Sequence, residues 1–241
     1  MSCSADNKNL YVVIPAAGSG TRMGPNSNKL FMEVGGVTVI ERTLQAFMML
    51  SETGAVNSVN CIVVTNEENI SPIRHIVDDK NYSVVKSIVL GGNSRTDSVY
   101  NGLKALSSLD CAPTSDDFVF VHDGARCMVT LDVLNNCIES IKTHDVCVAG
   151  VPAKNTIKVV NNGIVTDTPD RSTLYEVQTP QCFKYDVIMR SYENAFSNGI
   201  QATDDTALAE LLGYKVAIAE GSYGNIKITT PEDILFAQAM L

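Results

Sequence analysis

The feature that most constrains the fold is an alternation of short apolar runs with amphipathic stretches. The runs at residues 10–16, 61–65 and 146–151 are nearly continuous, which is typical of strands buried on both faces of a parallel sheet. Between the first two runs, Ile40 and Leu44 belong to a helical apolar spacing. Strands that alternate with helices form parallel βαβ units. We therefore predict an α/β fold with a doubly wound, mostly parallel sheet.

The rest of the chain continues this pattern. The pair Ser71-Pro72 predicts a helix start, with serine as the N-cap and proline in the first turn. We expect further strands at residues 83–90, 117–121 and 215–219, and helices at 94–106, 131–142, 184–196, 204–212 and from 231.

The alternation breaks after Pro152. Residues 156–160 and 164–166 are apolar stretches that flank Asn162-Gly163, a pair typical of a tight hairpin turn. No linker, repeat or low-complexity tract separates this segment from the rest. We predict a single domain over residues 1–241, with a protruding β arm at 152–177.

Composition narrows the function classes. The 241 residues carry a net charge of −9, from 18 Lys and Arg against 27 Asp and Glu, and 45% are apolar. The apolar fraction argues against disorder, and the acidic balance argues against nucleic acid as a partner. Apolar runs are too short to span a membrane, so we expect no membrane partner and a cytoplasmic location, or an organelle if a transit peptide has been removed. Seven cysteines without C-x-x-C spacing indicate neither a disulfide framework nor a zinc site.

A Gly-rich segment, Pro15-Ala-Ala-Gly-Ser-Gly-Thr-Arg-Met, follows the first strand. Small residues let a ligand approach the backbone, whose N–H groups bind phosphate oxygens. Met23 occupies the third glycine position of a dinucleotide fingerprint, and no Walker Gly-Lys-Ser/Thr follows. Arg22 and Lys29 add two cations, which suits a triphosphate. The alternative is an ordinary β–α turn with surface cations.

Further polar clusters follow other strands or lie late in the chain. Ligands of open α/β sheets bind beyond the carboxyl ends of the strands. Arg95, Arg126, Arg171 and Lys227 each lie near Gly, Ser or Thr in such clusters. Together they predict a phosphate-rich site at one edge of the sheet.

Several residues in these clusters have simpler interpretations. We interpret His122 as a hydrogen-bonded strand-end residue rather than a catalyst, and Cys127 as inert. Asp123 is either a ligand, through Mg²⁺ or ribose, or a loop cap. The acidic pair Asp204-Asp205 and the Thr230-Pro231 pair are explained by helix capping.

The ordered set of motifs resembles the 2-C-methyl-D-erythritol 4-phosphate cytidylyltransferase family from about Tyr11 to the C-terminus. The motifs are Ala16-Ala-Gly-Ser-Gly-Thr-Arg-Met with Lys29, Gly91-Gly-x-x-Arg-x-x-Ser98, Val121-His-Asp-x-Ala-Arg126, Asp170-Arg171, Gln178-Thr-Pro-Gln, and Asn225-Ile-Lys-Ile-Thr-Thr-Pro-Glu-Asp. The resemblance implies a Rossmann-like nucleotidyltransferase domain and a homodimer in which the β arm embraces the second subunit.

The resemblance also implies roles for individual residues. Arg22, Lys29 and Arg171 would be catalytic. The nucleotide would be bound by Ala16, Ala17, Gly18, Ser19, Gly20, Gly91, Ser98 and Asp123. The polyol phosphate acceptor would be bound by Arg126, Thr156, Arg171, Thr203 and Lys227. Mg²⁺ would be the cofactor, held mainly through the phosphates of CTP, with Asp123 as a candidate protein ligand.

The implied reaction transfers CMP from CTP to the acceptor and releases pyrophosphate. Gly124, Cys127 and Asn155 depart from residues that the family commonly has, which leaves acceptor identity open. One alternative is a ribitol 5-phosphate cytidylyltransferase, and another is a non-catalytic nucleotide-binding protein on the same scaffold. Met23 and the lack of a Tyr-x-x-x-Lys pair argue against an oxidoreductase.

Overall fold

The computed structural model describes residues 8–18, 28–200, 202 and 204–241. Its strands are β1 (Leu10–Pro15), β2 (Glu33–Val34), β3 (Val37–Thr38), β4 (Val59–Thr65), β5 (Val85–Leu90), β6 (Phe118–Val121), β7 (Val146–Pro152), β8 (Val159–Asn161), β9 (Ile164–Asp167), β10 (Tyr175–Lys184) and β11 (Val216–Glu220). Its α-helices are α1 (Val39–Glu52), α2 (Glu67–Lys80), α3 (Arg95–Ser107), α4 (Leu131–Thr143), α5 (Tyr185–Asn198), α6 (Asp205–Glu210) and α7 (Pro231–Ala239). Short 3₁₀ helices lie at Lys29–Phe31 and Arg171–Thr173.

Seven strands form the central sheet in the order β11-β7-β10-β6-β1-β4-β5. Strand β1 lies between β4 and β6 and is parallel to both, and β11 is parallel to β7. Strand β10 alone runs antiparallel, between β6 and β7. The α/β fold with a mostly parallel sheet is therefore confirmed.

Strand β1 shows how one apolar run supports both faces of the sheet. Val12 and Ile14 belong to a core cluster with residues of α1 and α4, while Tyr11 and Val13 belong to a cluster with residues of α3 and α5. All four side chains are buried. A strand covered on both faces has no polar side to present, which explains the continuous apolar run.

Helix α3 packs unusually close to the sheet because of Gly102. A Cβ added there would lie 2.5 Å from Cγ1 of Val13 and 2.9 Å from Cγ2 of Val64. The helix begins with a capping box between Ser94 and Asp97. Close packing and the cap together fix the start of α3, which forms one wall of the site described below.

Two predicted elements differ in the structure. No strand is predicted at residues 178–181, yet they belong to strand β10 at the interior of the sheet. Helix α2 begins at Glu67 with Asn66 as its N-cap, so the predicted start at Ser71-Pro72 is wrong and Pro72 lies inside the helix. Asn66 caps it by accepting a 3.0 Å hydrogen bond from the N–H of Asn69.

A hairpin occupies the segment after β7. Strands β8 and β9 pair antiparallel, and the turn residues Asn162 and Gly163 have φ values of 48° and 79°. Two positive φ values are what a type I′ turn requires, so the Asn-Gly prediction is confirmed. Every residue of both strands is exposed in a single chain, including the apolar side chains of Val160 and Ile164.

No helix among the described residues is long and apolar enough to cross a membrane. The described cysteines are free thiols, and all except Cys111 are buried. In the part of the chain that the structure covers, no group of three or more His, Cys, Asp or Glu side chains is arranged to hold a metal ion.

Candidate active site

A cleft of about 370 Å³ opens at the carboxyl edge of the sheet. Five segments line it: the end of β1 with the residues after it, the 3₁₀ helix at Lys29–Phe31, the start of α3, the segment after β6, and the segment between β11 and α7. Its described lining residues are Pro15, Ala16, Ala17, Gly18, Lys29, Leu30, Gly92, Asn93, Ser94, Arg95, Ser98, Asp123, Ala125 and Lys227. The volume lies within the range of small-ligand sites.

Residues 16–18 line the cleft directly after β1. The N–H of Ala16 donates to the carbonyl of Val64, and the hydroxyl of Thr65 donates to the carbonyl of Ala16, so β4 holds the end of β1 in place. The space that a Cβ of Gly18 would fill is open. A ligand can therefore approach the backbone at this point, as the Gly-rich motif predicts.

The Gly91-Gly92 turn closes tightly on the start of α3. A Cβ on Gly91 would lie 2.8 Å from Oγ of Ser98, and a Cβ on Gly92 would lie 2.2 Å from Cβ of Asp97. The hydroxyl of Ser98 accepts a hydrogen bond from the N–H of Gly92 and donates one to the carbonyl of Ser94. Ser98 thus shapes the backbone of this turn at the wall of the cleft.

Asp123 is surrounded by three cations. Its Oδ2 lies 2.9 Å from Nζ of Lys227 and 3.6 Å from Nε of Arg126, and its Oδ1 lies 3.6 Å from Nε of Arg95. Burial alone would raise the pKa of the carboxyl. The positive charges of Lys227, Arg95 and Arg126 have the larger combined effect and lower the pKa to about 2. Asp123 is therefore a carboxylate across the physiological pH range.

The segment before α7 carries Lys227 to this carboxylate. The side chain of Asn225 donates to the carbonyl of Thr179, and the guanidinium of Arg126 donates to the carbonyl of Asn225 over 2.7 Å. Lys29 donates to the carbonyl of Ile228 over 3.0 Å. These bonds join the Lys29 side of the cleft to the Lys227 side.

His122 stands directly behind the cleft and is fully buried. Its Nε2 lies 3.1 Å from the carbonyl of Arg126, which can only accept, so Nε2 carries the proton. Its Nδ1 then accepts from the hydroxyl of Thr179, which itself accepts from the N–H of Asp123. Burial lowers the pKa of His122 to about 4. As predicted, it is a hydrogen-bonded strand-end residue, and it orients Asp123.

The other sequence predictions for this region are also met by the structure. Cys127 is buried, and its burial raises the pKa of the thiol to about 11, which fits an inert residue. Asp204 caps α6 by accepting from the N–H of Ala207. At α7, the carboxylate of Asp233 accepts from the N–H groups of Thr229 and Thr230.

Some predicted site residues are not in the cleft. Thr156 and Arg171 lie in the arm segment, where both are exposed, and Arg171 donates to the carbonyl of Lys154. Neither lines the cleft of its own chain. Ser19, Gly20, Arg22 and Thr203 lie outside the described residues, so their roles stay predictions.

The structure also reveals a contact that sequence reasoning missed. Arg95 binds Asp205 through two parallel hydrogen bonds, Nη1 to Oδ1 and Nη2 to Oδ2, each 2.8 Å long. The acidic pair at 204–205 read only as a helix cap, and Arg95 was one cation among several. Their partnership spans 110 residues and carries no local signal in the sequence.

Comparison with known proteins identifies the family. A sequence model described as 2-C-methyl-D-erythritol 4-phosphate cytidylyltransferase matches residues 10–241. The chain belongs to this family. Proteins of that name are 39% identical in Geobacter metallireducens, covering 96% of this chain and 97% of the relative, and 41% identical in Halalkalibacterium halodurans, covering 95% and 96%.

Solved structures agree with the family assignment. A 4-diphosphocytidyl-2C-methyl-D-erythritol synthase from Anaerococcus prevotii superposes with a TM-score of 0.81 at 31% identity, covering 97% of this chain and 98% of the other. A 2-C-methyl-D-erythritol 4-phosphate cytidylyltransferase from Francisella tularensis gives a TM-score of 0.77 at 29% identity, covering 97% and 100%. The resemblance drawn from the ordered motifs is confirmed, as is the nucleotidyltransferase class.

His122 generates a prediction about pH. Its pKa is near 6.5 in the unfolded chain and about 4 in the folded one, so between these values the unfolded chain binds more protons. The stabilisation is complete above pH 6.5 and is lost as the pH falls towards 4. We expect this residue to lower the free energy of unfolding by about 2 kcal/mol between about pH 7.5 and pH 5.

The measurement is urea unfolding at both pH values, at fixed protein concentration, for the wild type, His122→Gln and the control His144→Gln. His144 is exposed, so the control makes the same substitution at a histidine outside the core. A His122→Gln variant that loses as much stability at pH 5 as the wild type would contradict the assignment.

Proposed function

We propose that the chain transfers CMP from CTP to 2-C-methyl-D-erythritol 4-phosphate and releases pyrophosphate, in the non-mevalonate route to isoprenoid precursors. One observation supports this most directly. The open space at Gly18 and the cations Lys29 and Lys227 line the same cleft. Such a cleft has room for one phosphate chain at the backbone and a second phosphate at the cations.

The proposed chemistry is attack by an acceptor phosphate oxygen on the α-phosphorus of CTP. The P–O bond to the β-phosphate breaks, and its electron pair leaves with pyrophosphate. The acceptor phosphate is already an anion at neutral pH, so no general base is needed. This agrees with the burial of His122, which leaves it no route to a substrate. Catalysis then consists of positioning and charge neutralisation.

Lys29 lines the cleft together with residues 16–18, and we assign it, together with Arg22, to the charge that develops on the phosphates. Lys227 and Arg126 are assigned to the acceptor. The three cations around Asp123 fix the position of its carboxylate and keep it ionised, so it can accept a hydrogen bond from a ligand hydroxyl.

Mg²⁺ is part of the proposal. Among the described residues that line the cleft, Asp123 is the one carboxylate, and it already faces three cations. This donor set suits a Mg²⁺ ion held mainly by nucleotide phosphates and water rather than by a protein cage. When bound, the ion would neutralise phosphate charge.

The exposed arm supports a proposed homodimer. Apolar side chains on both hairpin strands, such as Val160 and Ile164, are exposed in a single chain, and apolar surface of this kind is typical of an interface. In such a dimer, Thr156 and Arg171 of one arm would reach the cleft of the partner. We also propose a single catalytic domain and a cytoplasmic location.

The function is tested by pyrophosphate release from CTP and Mg²⁺ with 2-C-methyl-D-erythritol 4-phosphate or ribitol 5-phosphate as acceptor. We expect turnover with the first and at least ~10²-fold lower kcat/KM with the second, because a misplaced hydroxyl leaves site groups unpaired. Preference for ribitol 5-phosphate would support the alternative cytidylyltransferase. Tight binding of CTP without turnover on either acceptor would support a non-catalytic nucleotide-binding protein.

Lys29→Ala is expected to lower kcat by at least ~10²-fold, because the developing phosphate charge loses one stabilising cation. The control is Lys142→Ala, which removes an exposed lysine paired with Glu139 on α4. Steady-state kinetics with varied CTP distinguish the roles. A raised KM for CTP with unchanged kcat would mean that Lys29 only binds the nucleotide.

The arm assignment predicts complementation between two inactive variants. In a hybrid dimer of Arg171→Ala and Lys29→Ala subunits, an Arg171 that acts across the interface leaves one of the two sites intact. Random exchange should then restore activity at about a quarter of all sites. Tagged subunits and co-purification verify exchange. Hybrids without recovered activity would show that Arg171 acts within its own chain.

A further inference from the structure

Arg95 connects two buried carboxylates. Both Nη atoms bind Asp205 and the remaining Nε faces Asp123 at 3.6 Å, so each of the three guanidinium nitrogens has a carboxylate neighbour. The planar fork of arginine makes this arrangement directional, since two parallel bonds to Asp205 determine where Nε points. The direction in which Arg95 faces Asp123 is thus set by Asp205.

Asp205 is itself rigidly held. It is 2% exposed and accepts a hydrogen bond from the hydroxyl of Tyr192 on α5. Its backbone N–H and that of Thr206 both donate to Oε1 of Gln181, over 2.8 and 3.2 Å. Gln181 belongs to β10, so the central sheet anchors the start of α6.

Tyr192 remains a hydrogen-bond donor to this carboxylate. Burial raises the pKa of its hydroxyl well above the ordinary value, and the charge of Asp205 raises it further. The Tyr192 ring also stacks on Tyr100 of α3 at a centroid distance of 6.0 Å and an interplanar angle of 2°. Helix α3 carries Arg95, so the two ends of the network are tied through packing as well.

A purely structural ion pair would explain the burial of Asp205, since a buried carboxylate requires a partner. It would not explain why the arginine lines the cleft. The Arg95 side chain is 34% exposed there, and its free edge faces the carboxylate that also holds Lys227 at 2.9 Å. The network therefore ends on Asp123 and on Lys227, the cation assigned to the acceptor.

We propose that Asp205 is a positioning residue for the transfer reaction: by binding both Nη atoms of Arg95, it directs Nε at Asp123 and so holds the Asp123–Lys227 pair in place on the acceptor side of the cleft. This inference rests on the proposed function. It extends the functional unit from the cleft to a buried helix start that touches no substrate.

The test is Asp205→Asn in the full-length chain, which keeps the side-chain shape but removes the charge that holds Arg95. We expect KM for 2-C-methyl-D-erythritol 4-phosphate to rise about tenfold or more, because small displacements of positioning groups have effects of this order. KM for CTP should change by less than about twofold, since the backbone at the end of β1 is held by β4, through Val64 and Thr65.

Asp204→Asn is the matched control. It makes the same charge change one residue earlier, asparagine is an equally good N-cap, and Asp204 has no contact with Arg95 among the bonds of the described residues. Its kinetics should match the wild type. Tyr192→Phe is the milder second variant, which keeps the ring but removes the hydroxyl bond, and it should shift KM for the acceptor in the same direction by less.

The outcomes separate the roles. If Asp205→Asn lowers the melting temperature and the active fraction while both KM values stay at wild-type levels, the pair is only structural and the inference is wrong. Equal increases in both KM values would also overturn it. If Asp205→Asn does not fold, an unchanged acceptor KM in Tyr192→Phe decides against the proposal. A wild type inactive with the acceptor would refute the proposed function, and this inference with it.

Discussion

The Asp123 carboxylate, buried among Lys227, Arg126 and Arg95, is the interaction on which the rest of the site depends. It lies just after β6, and its three partners come from the start of α3, from the β6–α4 connection and from the segment before α7. A buried charge without partners is strongly destabilising, by about 3–5 kcal/mol when one partner is removed. Contact between these four segments is therefore required for stability, and the place where they pack together forms one wall of the cleft.

Much of the fold follows from the period of apolar residues, because that period reports burial directly. The apolar period does not predict strand β10, because residues 178–181 combine Gln, Thr and Pro, which are typical of loops. Pro180 is tolerated because the pairing of β10 with β7 is irregular between Val177 and Gln181, where no ladder bond is required of it. The start of α2 is misplaced for a related reason. Ser71-Pro72 has the local chemistry of a cap, but Asn66 caps the helix five residues earlier, with two acidic residues in the first turn.

The cleft was predictable at the level of segments but not of partners. The carboxyl ends of parallel strands lie at the same edge of a sheet. Lys29, Asp123 and Lys227 follow such strands in sequence, so they could be expected near one another. The pairing of Arg95 with Asp205 depends on how α6 packs beside β10, through Gln181, and no spacing in the sequence encodes that. The same holds for the His122–Thr179 contact, which required knowing that residue 179 lies in a strand next to β6.

Two buried carboxylates of this acidic chain act directly on the cations of the cleft. Cations gathered for phosphate binding repel one another until the ligand arrives, and an unliganded cluster of Lys227, Arg126 and Arg95 would tend to spread apart. Asp123 removes that tendency, and Asp205 does the same for the outer edge of Arg95. Two buried carboxylates thus keep the cations in position before any phosphate binds, so a ligand meets an electrostatic arrangement that is already formed and need not be reorganised.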